Sequence, residues 1–436
     1  MIREMIFGLA VVLGGSSLSA ADNQPPASAV PNRVPLNVRD FGARADGRTK
    51  DTAAFQKALD ACGTNGGGTV VVPAGNYLIG SIVIGANTTL QLERNADLCG
   101  SPDIADYPII RTRWEGEFAP AHRALISAEN AHHIVIQGTG NIFGPPPALS
   151  RLRNPRGPVL IEFTSCTNVV LEGFSTQYQQ LWSIHPFLCR DVTVRNLVIR
   201  SINTNGDGLD VDSCSDVVIE HCSIDTGDDA ISLKSGRGME AVRLGRPTEN
   251  VTIRGCTLVS SQFGGIGLGT EMSGGIRNVR IENCTISGHQ NGIFIKSRDG
   301  RGSYMENITG DNLVINNSPT FLGVNLLNKG IQASEPVIGN AEKWACVRNL
   351  SFTNIRVDNV AQLVAGADIP SERPLDGLTL VNITGTCARG ITLANSLNVK
   401  LAGINVTGFQ GPLVTTTNVL GTGLDHPPAP ASLNIK

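Results

Sequence analysis

The feature that most constrains this chain is a short motif that keeps returning. A polar or glycine residue is followed by an apolar-x-apolar strand. The instances begin at His133, Asn168, Asp191, Asp216, Asn250, Asn278, Asn307, Asn349, Gly377 and Asn398. Successive starts fall roughly 20 to 40 residues apart, a range of periods that marks a repeat architecture. In such an architecture each unit buries its apolar face only against its neighbours. No helical stretch lies between these strands to act as a crossover. Each unit has room for about three strands of three to five residues. The spacing therefore predicts an all-β, right-handed parallel β-helix, a solenoid of three-strand coils stacked about 4.8 Å apart. Alternate residues face inward, so Val, Ile and Leu form interior columns. Asn, Asp and Gly at the corners supply turns in the left-handed region. A β-propeller is the runner-up, but its blades need a fourth strand and about 40–50 residues.

Composition agrees. Charged residues are 17% and aromatics 5%, while glycine is 49 of 436 residues. That mixture disfavours a helical bundle and suits short strands with tight turns. The one convincing amphipathic helix begins near Asp51. Ala54, Phe55, Ala58, Leu59 and Cys62 share one face of it, with Thr49 or Asp51 as cap. It is expected to close the open end of the solenoid, as such cores need a cap. Ten cysteines are too dilute for a disulfide scaffold, and no CxxC pair suggests a structural zinc. Cys166, Cys189 and Cys214 share one register and are expected to stack.

Residues 1–21 read as a signal peptide: an apolar run from Met5 to Leu13, then small residues Ser19, Ala20 and Ala21. The expected organisation is a single β-helix catalytic domain over 34–420, its N-terminal cap spanning about 34–110, and a loose tail over 421–436. The protein is expected to be exported, to the periplasm or beyond, and monomeric. No other segment reaches 18 apolar residues, so no membrane partner is expected. The net charge of −3 gives no field for nucleic acid. An acidic substrate must be held by local cations.

The chemistry concentrates in two stretches, Asn203 to Asp212 and Ile224 to Ile231. Asp207 precedes the adjacent pair Asp228 and Asp229 by about one coil, so the three carboxylates should meet on one face. Thr226 and Gly227 allow the bend that turns both adjacent aspartates into one cleft. Clustered carboxylates suit glycoside hydrolysis, where one must be a protonated acid and the others ionised to activate water. An inverting pair should lie about 6.5–9.5 Å apart. The Asp207-x-x-Asp210-x-Asp212 spacing fails the calcium-loop pattern, and no metal or cofactor is expected. No Gly-x-Ser-x-Gly elbow supports a serine nucleophile.

Asn205-Gly-Asp-Gly208 followed by Gly227-Asp-Asp229 resembles the polygalacturonase family, glycoside hydrolase family 28. The opening Asp40 to Gly47, Gly66 to Gly75, Leu181 to Pro186 and Gly269 to Gly275 resemble it too, the last two its bacterial, pectin-degrading members. The resemblance implies inverting, metal-free hydrolysis of α-linked galacturonate polymers, that is, pectic polysaccharide as substrate. By that likeness Asp228 is the general acid, and Asp207 and Asp229 hold and deprotonate the water. Substrate contacts are expected from Lys296, Asn205 and His185, with core or corner packing an equal alternative for His185. The chain departs from the family pattern at two positions. Gly264-Gly265-Ile266 lacks its His, and Phe294-Ile295-Lys296 lacks its Arg. The neighbouring sugar is thereby left open between galacturonate and rhamnose. Arg298 and Arg301 are read as solvated loop residues, with replacement of the lost cation as the alternative. Trp182 is a candidate for sugar stacking or core, and Glu271 and Lys234 for the groove or for each other. A rhamnogalacturonan-type hydrolase, a β-elimination lyase and a non-catalytic polysaccharide-binding β-helix are the alternatives.

Overall fold

A computed structural model describes residues 34–425, apart from 151, 178–180, 202, 261 and 329–336. The expected signal segment and residues 426–436 of the expected tail lie outside the described residues.

Three parallel ladders wind into a right-handed β-helix. In one ladder the strands Thr167–Glu172, Arg190–Arg195, Ser215–Glu220, Thr248–Arg254 and Ile276–Glu282 pair in sequence order. Their central residues stack as a column: Val169, Val192, Val217, Val251 and Val279. All are buried, while the residues on either side of each are at least partly exposed. Period-two patterning thus sends every second side chain into a core shared by successive coils.

The corner reading holds at every repeat start. His133, Asn168, Asp191, Asp216, Asn250, Asn278, Asn307, Asn349 and Asn398 all adopt positive φ between 52° and 58°, and Gly377 sits at 84°. Short polar side chains tolerate this region and bond locally. Here they also bond to the next coil. Asn278 Nδ2 donates to Asn250 Oδ1 at 3.0 Å, and Asn307 Nδ2 to Asn278 Oδ1 at 3.1 Å. The same amide is donor to one coil and acceptor from the next, so the corner sequence locks the stacking register.

The helix Thr52–Thr64 buries Ala54, Phe55, Ala58, Leu59 and Cys62 over the first coil. Asp51 stands at its N-cap without a side-chain cap bond. Its carboxylate instead accepts from the Arg44 and Ala45 backbone at 2.7 and 3.0 Å. Phe55 meets Tyr77 edge-on at 5.2 Å. All ten cysteines are free thiols. Cys166, Cys189 and Cys214 are fully buried and stacked, with the Cys189 N–H on Cys214 Sγ at 3.3 Å.

The third ladder breaks the alternation. Ile184–Phe187, Leu209–Asp212, Ile231–Lys234 and Gly264–Leu268 are buried at every position. Their outer face must therefore be roofed. The roof over the earlier coils is an antiparallel hairpin, Ile109–Trp114 with Glu117–His122. Trp114 packs on Trp182 at 4.6 Å and Phe118 on Phe187 at 5.5 Å. Where the hairpin stops, a groove opens.

Candidate active site

The groove encloses about 480 Å³. Asp207, Asp228 and Asp229 line it, together with Asn205, Lys234, Glu271 and Lys296. Asp207 lies in the turn before Leu209–Asp212, and the adjacent pair in the turn before Ile231–Lys234. Those strands stack with Leu209 on Ile231. The Gly208 N–H donates to the Asp229 carbonyl at 3.1 Å, which brings the two turns into contact. Gly208 is required there, because a Cβ would sit 2.5 Å from the Ala230 carbonyl oxygen. The expected bend before the pair is present: Thr226 Oγ1 donates to the Asp228 carbonyl at 2.9 Å. Both adjacent aspartates consequently face the same groove.

One carboxylate oxygen from each of the three lies within 4.8 Å of the others. This is tighter than the gap of about 6.5–9.5 Å anticipated for an inverting pair. Oxygens at this spacing are bridged by a single water bonded to both.

The three carboxyls differ in environment. Asp228 is half-buried; burial, then the charges of Asp207 and Asp229, push it up to about 8. Asp207 is buried, and desolvation with the neighbouring Asp210 drives it well above the usual range, against Lys234. Burial would raise Asp229 as well. The Lys296 ammonium outweighs it and holds Asp229 below the ordinary range. Lys296 Nζ sits on Asp229 Oδ2 at 2.7 Å, Ser232 Oγ donates to the same oxygen at 3.1 Å, and the Gly264 N–H donates to Oδ1 at 2.7 Å. A protonated acid thus stands beside an ionised carboxylate at neutral pH, the division of labour that acid–base chemistry needs.

Below them Lys234 pairs with Asp210 at 2.6 Å, Asp207 at 3.5 Å and Glu271 at 3.9 Å. Burial alone would lower this ammonium, but the three carboxylates hold it well above its usual value. Asp210 itself is pushed to about 7 by burial, against the pull of Lys234. Lys234 Nζ also lies 3.7 Å from the Trp182 ring centroid. Trp182 lines the groove edge but is only 2% exposed. The spacing of Asp207, Asp228 and Asp229 would bracket a cation. Internal ammonium groups already stand there, Lys296 Nζ on Asp229 at 2.7 Å and Lys234 Nζ at 3.5 Å from Asp207, so the donor set does not fit a resident metal.

Lys296 and Asn205 therefore lie where substrate contacts were expected; Asn205 Oδ1 accepts from Arg153 at 3.2 Å. His185 does not. It is fully buried beneath the hairpin, with Nδ1 on Glu162 Oε2 at 3.0 Å and Nε2 3.9 Å from Asp212 Oδ2. Arg156 and Arg113 complete that interior charge cluster. Nothing in the sequence around His185 marks the hairpin that arrives from residues 109–122 to cover it. Arg301 corrects the opposite way: it is not solvated but 1% exposed, on the groove wall. Glu115, Arg237 and Phe263 also line the groove and were missed. They come from the hairpin tip and from inter-strand loops, where no periodicity marks them.

Residues 62–383 match glycosyl hydrolases family 28. A probable polygalacturonase of Vitis vinifera is 30% identical over 364 residues, covering 79% of this chain and 73% of that protein. A hyperthermoactive exopolygalacturonase from Thermotoga maritima superimposes with a TM-score of 0.75 at 27% identity, over 86% of this chain and 93% of the other. The family 28 exopolygalacturonase of Yersinia enterocolitica shares the fold, with a TM-score of 0.77 at 21% identity over 90% and 79% of the two chains.

Proposed function

The chain belongs to glycosyl hydrolases family 28 and is a pectin-degrading glycosidase, and on that premise we propose that it is an exported enzyme that cleaves α-linked galacturonate by single displacement without a metal. The carrying observation is the split protonation of adjacent carboxyls, Asp228 raised and Asp229 lowered. Asp228 gives its proton to the leaving glycosidic oxygen. Asp229, kept ionised by Lys296, takes a proton from a water held between it and Asp207. The water oxygen bonds to the anomeric carbon as the old C–O bond breaks. Lys296 and Asn205 contact the substrate from the groove walls.

The hairpin supports action at a chain end. It packs on the coil before Asp207, with Trp114 on Trp182 at 4.6 Å, and its tip residue Glu115 lines the groove beside Trp182. A hairpin tip at that end favours release of single units from polygalacturonate. A lyase is excluded by the same assay if products carry no ultraviolet absorbance.

Double displacement is the second reading, favoured by the short oxygen spacing. It requires a carboxylate free to attack. Both oxygens of Asp229 are already engaged, by the Gly264 N–H and by Lys296 with Ser232. Proton NMR of the first product decides: a β-anomer supports single displacement, an α-anomer the double one.

A further inference from the structure

A second cavity lies on the loops that form one wall of the groove. It encloses about 630 Å³, inside the range of roughly 300–1,000 Å³ that small-ligand sites occupy. It shares no lining residue with the groove, yet the same loops build both. After Ile231–Lys234 the chain gives Arg237 to the groove, then Met239 and Val242, on the helix Gly238–Leu244, to the cavity. After Gly264–Leu268 it gives Glu271 to one and Ser273 to the other. After Asn291–Lys296 it gives Arg301 and then Tyr304. Those two are three residues apart, at most about 10 Å along the chain.

The lining has the chemistry of a sugar acid's partner. Met239, Val242 and Ile338 give an apolar surface, and Val242 is 42% exposed. The Tyr304 ring packs on Gly275, where a Cβ would come within 2.3 Å of it, so the ring is held in one place. Ser273 Oγ accepts the Gly238 N–H at 2.8 Å, which leaves its hydroxyl hydrogen for another acceptor. An apolar surface edged with hydroxyls matches a pyranose ring, apolar on its face and hydroxylated at its rim. Two guanidinium groups reach the cavity, and they differ. Arg348 is neutralised by Glu306, with Nε and Nη2 both on Oε2 at 2.5 Å. Arg373 has no ion pair and no side-chain hydrogen bond to any described residue, and its Nε is buried. The lining carboxylate, Glu342, is exposed to solvent and does not pair with Arg373. A buried donor without an acceptor costs free energy that a ligand carboxylate recovers.

We propose that this cavity is an accessory, non-cleaving site for a uronate unit of the polymer, its carboxylate on Arg373 and its ring over Tyr304, Met239 and Val242. Holding a chain there keeps it beside the groove and raises the effective concentration of cleavable ends at the acid cluster. The identity of the polymer rests on the hydrolase reading above; the site itself goes beyond it.

The test is affinity electrophoresis of Asp228→Asn, which binds without cleaving, in gels that contain polygalacturonate. Adding Arg373→Gln should weaken the Kd roughly 10-fold, the loss of one charge-assisted contact. Adding Val242→Asp instead, at an exposed position that carries little risk to folding, should weaken it in the same direction by repelling the carboxylate. In the cleaving enzyme both substitutions should lower kcat/KM on long polygalacturonate while kcat/KM on a galacturonate trimer stays within about two-fold. Unchanged polymer affinity in both variants, an equal fall on polymer and trimer, or equal retardation by an uncharged galactan overturns the assignment. Failure of wild-type enzyme to release reducing ends from any galacturonate oligomer would instead sink the hydrolase reading. Retardation that Arg373→Gln abolishes would survive that result, which separates the two failures.

Discussion

Replacing Asp228 by Asn should remove activity and, at alkaline pH, strengthen the fold. The carboxyl titrates at about 8 in the folded protein against an ordinary 3.8, chiefly because it is desolvated and then because Asp207 and Asp229 repel its charge. Its folded pKa is raised, so the folded chain holds a proton that the unfolded chain gives up. Stability is undiminished below the unfolded value and is lost as pH rises through about 8. Each pH unit in that window is worth about 1.36 kcal/mol. From pH 5 to pH 8 the loss from this one group is about 4 kcal/mol. Asn does not titrate and escapes the loss. The stability advantage of Asp228→Asn over wild type should therefore grow by about 4 kcal/mol between pH 5 and pH 9. Denaturant unfolding at the two pH values measures it. Reducing-end release at pH 5 should fall by about 10²- to 10⁴-fold, the contribution of a positioned general acid. Retention of more than a tenth of the rate would refute the acid role. An advantage equal at both pH values would refute the electrostatic account, since packing changes do not follow protonation.

Lys296→Met should raise the pH at which activity disappears on the acid side, because Asp229 loses the charge that keeps it ionised; an unmoved acid limb in a pH–rate profile would count against the pairing. The same variant should lose about 3–5 kcal/mol of stability, as a buried carboxylate is left unpaired. His185→Gln should lower the unfolding midpoint while KM stays within a few-fold, since His185 braces Glu162 under the hairpin; a large KM change with an unchanged midpoint would return it to the substrate. Overnight treatment with EDTA should leave the rate of reducing-end release unchanged, and a loss restored by calcium would contradict the donor-set argument.

Much of the molecule was legible in the chain because its determinants are local. Each corner residue from Asn168 to Asn398 needs positive φ for its own turn, so a polar residue before an apolar-x-apolar run is visible without knowing its neighbours. The cap helix shows its buried face in its own spacing. Even the acid cluster could be read, since stacking turns the step from Asp207 to Asp228 into adjacency once the repeat is recognised. The solenoid converts sequence distance into axial distance, a simplification that few folds allow.

What the tertiary structure alone decided are the contacts that the repeat does not generate. The hairpin of Ile109–Trp114 and Glu117–His122 interrupts the periodicity, and its landing place covers His185 and brings Glu115 to the groove beside Trp182. The burial of Arg301 depends on a turn bonded to Lys343, which arrives from a later coil. The protonation states depend on distances between groups in different coils, such as Lys296 and Asp229 at 2.7 Å. Desolvation and Coulomb interaction vary steeply over a few ångströms. A sequence can name which charges share a groove; only coordinates say which of them keeps its proton.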